Sequence, residues 1–158
     1  MTAAPPPLTT DRIVVPESIQ EAARKSVGAL SKEICPSDPD AVVRDFLDQA
    51  KSFRRAEIMG RYTSLQGKKV LEIGSGFGTN LAAWIKLFEV DGYGVEPGSP
   101  GFDAGFIGSQ AVFAANGLDP SRIQNAAGEN LPFPDETFDI VYSANVLEHT
   151  ENPERTLH

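Results

Sequence analysis

Apolar residues recur at three- and four-residue steps in two stretches before residue 62, and beyond residue 69 that period disappears. Ile19, Ala22, Ala23, Val27, Leu30 and Ile34 share one face. Their spacing predicts an amphipathic helix over 16–34, with Pro16 at a tolerated first-turn position. CPSDP interrupts the pattern. Asp38 stands as a cap before Pro39, and Val42, Val43, Phe46, Leu47, Ala50 and Phe53 predict a second helix running towards Arg61. Neither helix displays chemistry. From Lys69 the run VLEI has no helical stripe and is followed by glycines, as expected of a strand covered on both faces. TNLAAWIKLFE (79–89) suits a helix and YGVE (93–96) a second strand. A further helix spans 102–116, weakened by Gly105 and Gly108 and stopped at Gly117. RIQNAA (122–127) reads as a third strand, FPDET as a turn, FDIVYSA as a fourth strand of the buried kind, and NPERTLH as the start of a helix. Strands alternating with helices predict an α/β fold around a parallel sheet with right-handed crossovers.

Composition narrows this picture. A length of 158 residues suits one core with an added segment. Residues 1–15, with three consecutive prolines, read as a disordered tail. Residues 16–62 form a helical segment and 63–158 the sheet domain. Against 14 basic side chains stand 22 acidic ones, a formal charge of −8 that repels phosphate backbones and anionic lipid. Nucleic acid and membrane are therefore not expected as partners. The local cluster Lys51, Arg54, Arg55, Arg61, Lys68 and Lys69 reads as a solvated face. The single Cys35 excludes an internal disulfide and a multi-cysteine metal site, and no metal site is expected. With no signal-like amino terminus and no apolar run of about eighteen residues, the chain reads as soluble and cytoplasmic.

In a parallel sheet the ligand crevice lies beyond the carboxyl ends of the strands, so the residues just after each strand matter most. VLEIGSGFGTN (70–80) places Gly74, Gly76 and Gly78 after the first strand. Bare backbone there admits positive φ and the close approach of a ligand to the main chain. The second strand ends in Glu96, 20 positions beyond Gly76, where a carboxylate can accept from both hydroxyls of a ribose. Together these features indicate an adenosine-type cofactor. The spacing G-x-G-x-G followed by Asn80 lacks the third glycine of the dinucleotide fingerprint. Glu72 adds a carboxylate that suits an ammonium or sulfonium and disfavours a pyrophosphate. After the third strand, Glu129 could accept from an adenine amine, and Leu131 and Phe133 could wall an adenine face.

The segment from Lys69 to Arg155 resembles the class I S-adenosylmethionine-dependent methyltransferases, especially the small-molecule group (methyltransferase type 11) with the pattern LPF.D..FD.V.....LEH. VLEIGSGFG is similar to their first motif and GYGVEP to their second. The resemblance implies a Rossmann-like parallel sheet, partial here, of strand order 3-2-1-4, with the two amino-terminal helices as a cap over cofactor and acceptor. It implies that Glu72, Gly74, Ser75, Gly76, Gly78 and Asn80 hold the amino-acid part of S-adenosyl-L-methionine. Glu96, with Pro97 beside it, would bind the ribose, and Glu129, Asn130 and Leu131 would lie at the adenine. The stretch 143–149, which includes Asn145, would line the methionine end and face the acceptor. Methyl transfer needs alignment and exclusion of water above all. Where a base is needed His149 is the candidate, with Tyr142 and Asn145 as orienting groups.

Family members continue beyond the fourth motif, so the resemblance also implies a truncated chain whose fourth strand is an open edge. A homo-oligomer or a second chain completing the sheet is then expected. The leading expectation is a methyltransferase acting on a small-molecule acceptor. Its rivals are an NAD(P)-binding oxidoreductase and a truncated, non-enzymatic module that binds an adenosine cofactor or serves in assembly.

Overall fold

The computed structural model describes residues 13–157 apart from 39, 47 and 99–102. Residues 1–12 of the expected tail lie outside the described residues, as do Pro39, Leu47, Phe102 and His158. Residues 13 and 14 are tied down. Gln49 exchanges side-chain hydrogen bonds with the Ile13 backbone, Asn116 does the same with Val14, and Ile13 is 3% exposed.

The first helix, α1 (Glu17–Ile34), forms as the periodicity predicts. The second expected helix is two, α2 (Ala41–Phe46) and α3 (Gln49–Gly60). The break follows from Asp48, whose backbone is extended and whose carboxylate accepts from the Ala50 amide at 2.9 Å. An aspartate is more stable capping a new first turn than sitting mid-helix, so the apolar spacing continues while the backbone restarts. Half of the basic cluster is ion-paired at the surface: Lys51 with Asp45, Arg54 with Asp48, and Lys68 with Asp139.

Four parallel strands follow, β1 (Lys69–Ile73), β2 (Asp91–Val95), β3 (Ile123–Gln124) and β4 (Ile140–Ser143), in the order β3-β2-β1-β4. Between them run α4 (Thr79–Phe88) and α5 (Asp103–Ala115), and α6 (Pro153–Thr156) comes last. The third strand is only two residues long: a 3₁₀ turn over Pro120–Arg122 takes the first residue of the expected run, and residues 125–127 lie beyond the strand. Among the described residues β4 pairs with β1 alone, and its Val141 is 57% exposed. No described helix is long and apolar enough to cross a membrane.

Alternation along β1 divides the core into two faces. Val70 joins Trp84, Leu81 and Phe113 in a large cluster that also holds Ile13, Ile19, Ala23, Ala56 and Leu65 from the amino-terminal segment. Leu71 and Ile73 join Val95 on the opposite face. On that face Phe133 and Phe138, from the loop between β3 and β4, pack edge to face with each other and with Tyr93 of β2. The pairing Glu72↔Gly94 and Glu72↔Tyr142 brings the tips of β2, β1 and β4 level with one another.

Candidate cofactor site

The loop after β1 turns sharply, with Gly74, Gly76 and Gly78 all at positive φ. Amides of Gly74 and Ser75 both donate to the Val95 carbonyl at the tip of β2, at 2.9 and 3.0 Å. A side chain at Gly74 would collide with the γ-methyls of Val146, and at φ +72° it would be strained as well. Beyond this turn the Gly76 amide donates to Oε2 of Glu96 at 2.8 Å. The glycine loop and the carboxylate after β2 thus meet directly.

Glu96 is half-buried, and burial raises its pKa while the Gly76 bond lowers it. Its other oxygen approaches Gly105 of α5, where an added Cβ would lie 2.7 Å from Oε1. Gly105, which the sequence marks only as a weak point in a helix, therefore adjoins the Glu96 carboxylate. Its signal was there, a glycine retained inside an otherwise helical stretch.

Glu72 is 3% exposed and faces α3 and α4. Its Oε1 accepts from Asn80 Nδ2 at 3.0 Å, and its Oε2 has no hydrogen-bond partner. Burial pushes the carboxyl up to about 7; the Asn80 bond and the charge of Arg55 lower it, and Glu96 raises it. Ser75 Oγ and Ser143 Oγ, at the tips of β1 and β4, are likewise buried without partners. Three orphaned polar atoms at adjoining strand tips fit a polar ligand, because unmet buried polar groups are costly in a finished fold.

A cavity of about 500 Å³ opens beside these tips, lined among others by Gly74, Pro97, Glu129, Val146, His149 and Arg155. Exposed His149 sits here in a 3₁₀ turn over Leu147–His149. Glu129 also lines the cavity, but its Oε1 accepts from the amides of Glu151 and Asn152, at 2.9 and 3.4 Å. Hydrogen bonds from backbone amides, its own first, hold that carboxyl below its usual range. Leu131 and Phe133 pack into the apolar cluster on the second sheet face, which shares Ile73 and Val146 with the cavity lining, and Asn130 is exposed. Asn145 is exposed at the end of β4 with a left-handed φ of +56°. Tyr142 stacks edge-on against Trp84 at 5.0 Å, within the packing of the first face. Gly74, Pro97, Glu129 and His149 are therefore brought to one cavity and Gly76 to Glu96. Leu131, Phe133 and Tyr142 take part in core packing.

Residues 71–158 match a methyltransferase domain family. Over 121 residues the chain is 31% identical to a tRNA U34 carboxymethyltransferase of Campylobacter hominis, a match covering 75% of this chain and 40% of that protein. The chain thus spans well under half the length of this curated relative. Among solved structures, a SAM dependent methyltransferase from Aquifex aeolicus superposes with a TM-score of 0.53 at 18% identity, over 70% of this chain and 63% of that one. A chain from a complex between the Haloferax volcanii Trm112 methyltransferase activator and a methyltransferase superposes with a TM-score of 0.56 at 19% identity, over 91% and 54%. These two likenesses carry the fold.

One expectation is overturned. Exclusion of nucleic acid, and with it restriction to a small-molecule acceptor, does not stand beside a relative named for tRNA. The physical error lies in the sum: net charge describes a whole chain, whereas a nucleic-acid contact needs only a local set of cations.

Proposed function

The chain belongs to this methyltransferase domain family, and on that premise we propose that it binds S-adenosylmethionine across the tips of β1 and β2 and directs its methyl group to an acceptor. The 2.8 Å bond between the Gly76 amide and Glu96 carries the reading. It joins the bare backbone that would pass the amino-acid part of the cofactor to the carboxylate that would accept from the ribose hydroxyls. The orphaned Oε2 of Glu72 supports it: an ammonium at that oxygen supplies the partner that burial otherwise denies.

When bound, the sulfonium supplies the activation for transfer. This chain's residues bind, orient and exclude water. Gly74 and Gly76 keep side chains out of the cofactor's path, Glu96 holds the ribose, and Glu72 the charged end. His149, exposed at the cavity, is the residue that would take a proton from an acceptor needing a base. An RNA acceptor is the substrate class to test first, supported by the relative named as a tRNA U34 carboxymethyltransferase. The test is transfer of labelled methyl to RNA, with and without nuclease treatment.

Calorimetric titration with S-adenosylhomocysteine and with NAD tests the cofactor. The homocysteine compound is expected to bind and NAD not, and Glu96→Ala is expected to weaken binding by about 1–3 kcal/mol. Preference for NAD would favour the oxidoreductase, and unchanged affinity in the variant would remove Glu96 from the site.

A further inference from the structure

Ser52 lies on α3, outside the stretch that matches the family, yet it is 2% exposed and its hydroxyl donates to Asn80 Oδ1 at 2.7 Å. Asn80 in turn donates through Nδ2 to Glu72 Oε1 at 3.0 Å. The Ser52 carbonyl accepts from Trp84 Nε1 at 2.8 Å, which fixes α3 against α4. We propose that Ser52 and Asn80 are positioning residues that set the orientation and charge of the Glu72 carboxylate, and so couple docking of α3 to the hold on the cationic end of the cofactor.

The inference rests on the reading that this end lies at Glu72, and its chemistry is directional. An ionised carboxylate only accepts, so Asn80 must turn its amide nitrogen towards Glu72 and its oxygen away. That oxygen then needs a donor, and the Ser52 hydroxyl provides one. Without the hydroxyl the amide oxygen is left buried with no donor, and once Glu72 takes up a proton the amide can turn its oxygen to accept from the carboxyl, which favours the neutral form. One oxygen of Glu72 is then no longer stabilised in its charged form, and the other, Oε2, loses its fixed aim. The charged and titratable groups bearing on Glu72 are Arg55 from α3, Glu96 from the tip of β2 and Tyr142 from β4. Arg55 opposes burial and Glu96 adds to it. Asn80 and Ser52 act with Arg55, on the side of the ionised state.

Two measurements on the full chain decide this. Carbon-13 NMR of labelled glutamate carboxyls, with the Glu72 resonance assigned by its loss in Glu72→Gln, gives the titration midpoint without any ligand. The midpoint is expected to rise by roughly half a unit to one unit in Ser52→Ala and in Asn80→Ala, and to return in Ser52→Thr, which keeps the hydroxyl. Calorimetry with S-adenosylhomocysteine is expected to show affinity lowered about five- to tenfold near neutral pH in Ser52→Ala, with the deficit closing as pH rises about two units. An unchanged midpoint, or a deficit equal at every pH, would overturn the proposal, because loosened packing alone weakens binding without moving a titration. Failure of the unaltered protein to bind the homocysteine compound would contradict the cofactor reading instead, while the NMR midpoint would still decide whether Ser52 governs Glu72. Should Ser52→Ala not fold, Asn80→Ser, whose hydroxyl is too short to reach Glu72, is expected to give the same raised midpoint.

Discussion

At Glu72 binding and stability pull in opposite directions. The carboxyl is buried and its pKa is raised from 4.5 to about 7, so the folded state holds its proton more tightly than the unfolded state does. Stability that is fully present below about 4.5 is therefore lost as pH rises through about 7. Glu72→Gln keeps the shape and an acceptor for Asn80 but cannot ionise. Thermal melts should show the variant more stable than the parent at pH about 8, by on the order of 2–3 kcal/mol, with the gap closing as pH falls towards the unperturbed value. Affinity for S-adenosylhomocysteine should fall roughly tenfold or more in the same protein. A variant that is less stable at high pH would mean that Glu72 makes a net stabilising bond the structure lacks. Glu72 and Glu96 were legible in the sequence because each follows or precedes glycines at a strand tip, a relation fixed by counting. Ser52 was not legible, since a serine inside an amphipathic helix looks like any surface position until a second helix is laid over it.

For elements, α5 shows how a helix can be weakened to serve its neighbour. Gly105 costs the helix propensity, yet only a residue without a Cβ leaves room for Oε1 of Glu96. Gly105→Ala should gain roughly 0.5–1 kcal/mol of helix propensity and lose part of it to the contact, leaving the melting temperature nearly unchanged. Homocysteine-compound affinity, measured by calorimetry, should fall about tenfold as Glu96 is displaced from Gly76; unaltered affinity would show that the carboxylate can move without loss. Strands β1, β2 and β4 and helices α1, α4 and α5 were readable from periodicity and glycine punctuation. The division of α2 from α3 was not, because Val42, Ala50 and Phe53 keep helical spacing across a break made by a single capping bond at Asp48. The adenine wall expected of Leu131 and Phe133 is a related case. Apolar residues after a strand serve a ligand, the sheet or both, and here both side chains pack against Leu71, Ile73 and Val95 on the second sheet face.

Across the whole molecule, the amino-terminal helices and the sheet share one core. Ile13, Ile19, Ala23, Ala56 and Leu65 pack in the cluster that contains Trp84. Losing contacts of this kind costs on the order of several kcal/mol, against a total stability of about 5–15 kcal/mol for a typical domain. Removal of residues 1–62 should therefore abolish cooperative melting and shift the emission of the lone tryptophan, Trp84, to the red. A truncated protein that melts cooperatively with buried-type emission would make the helices an independent cap. The sheet order followed from the family resemblance, whereas this sharing of core did not, since apolar spacing tells that a face is buried and never against what. The claim that underlies the rest, a cofactor gripped between the tips of β1 and β2, is tested most directly by a crystal structure with S-adenosylhomocysteine bound. Ribose hydroxyls within hydrogen-bonding distance of Glu96, with the amino group at Oε2 of Glu72, is the expected result; a nucleoside bound away from Glu96 would contradict it.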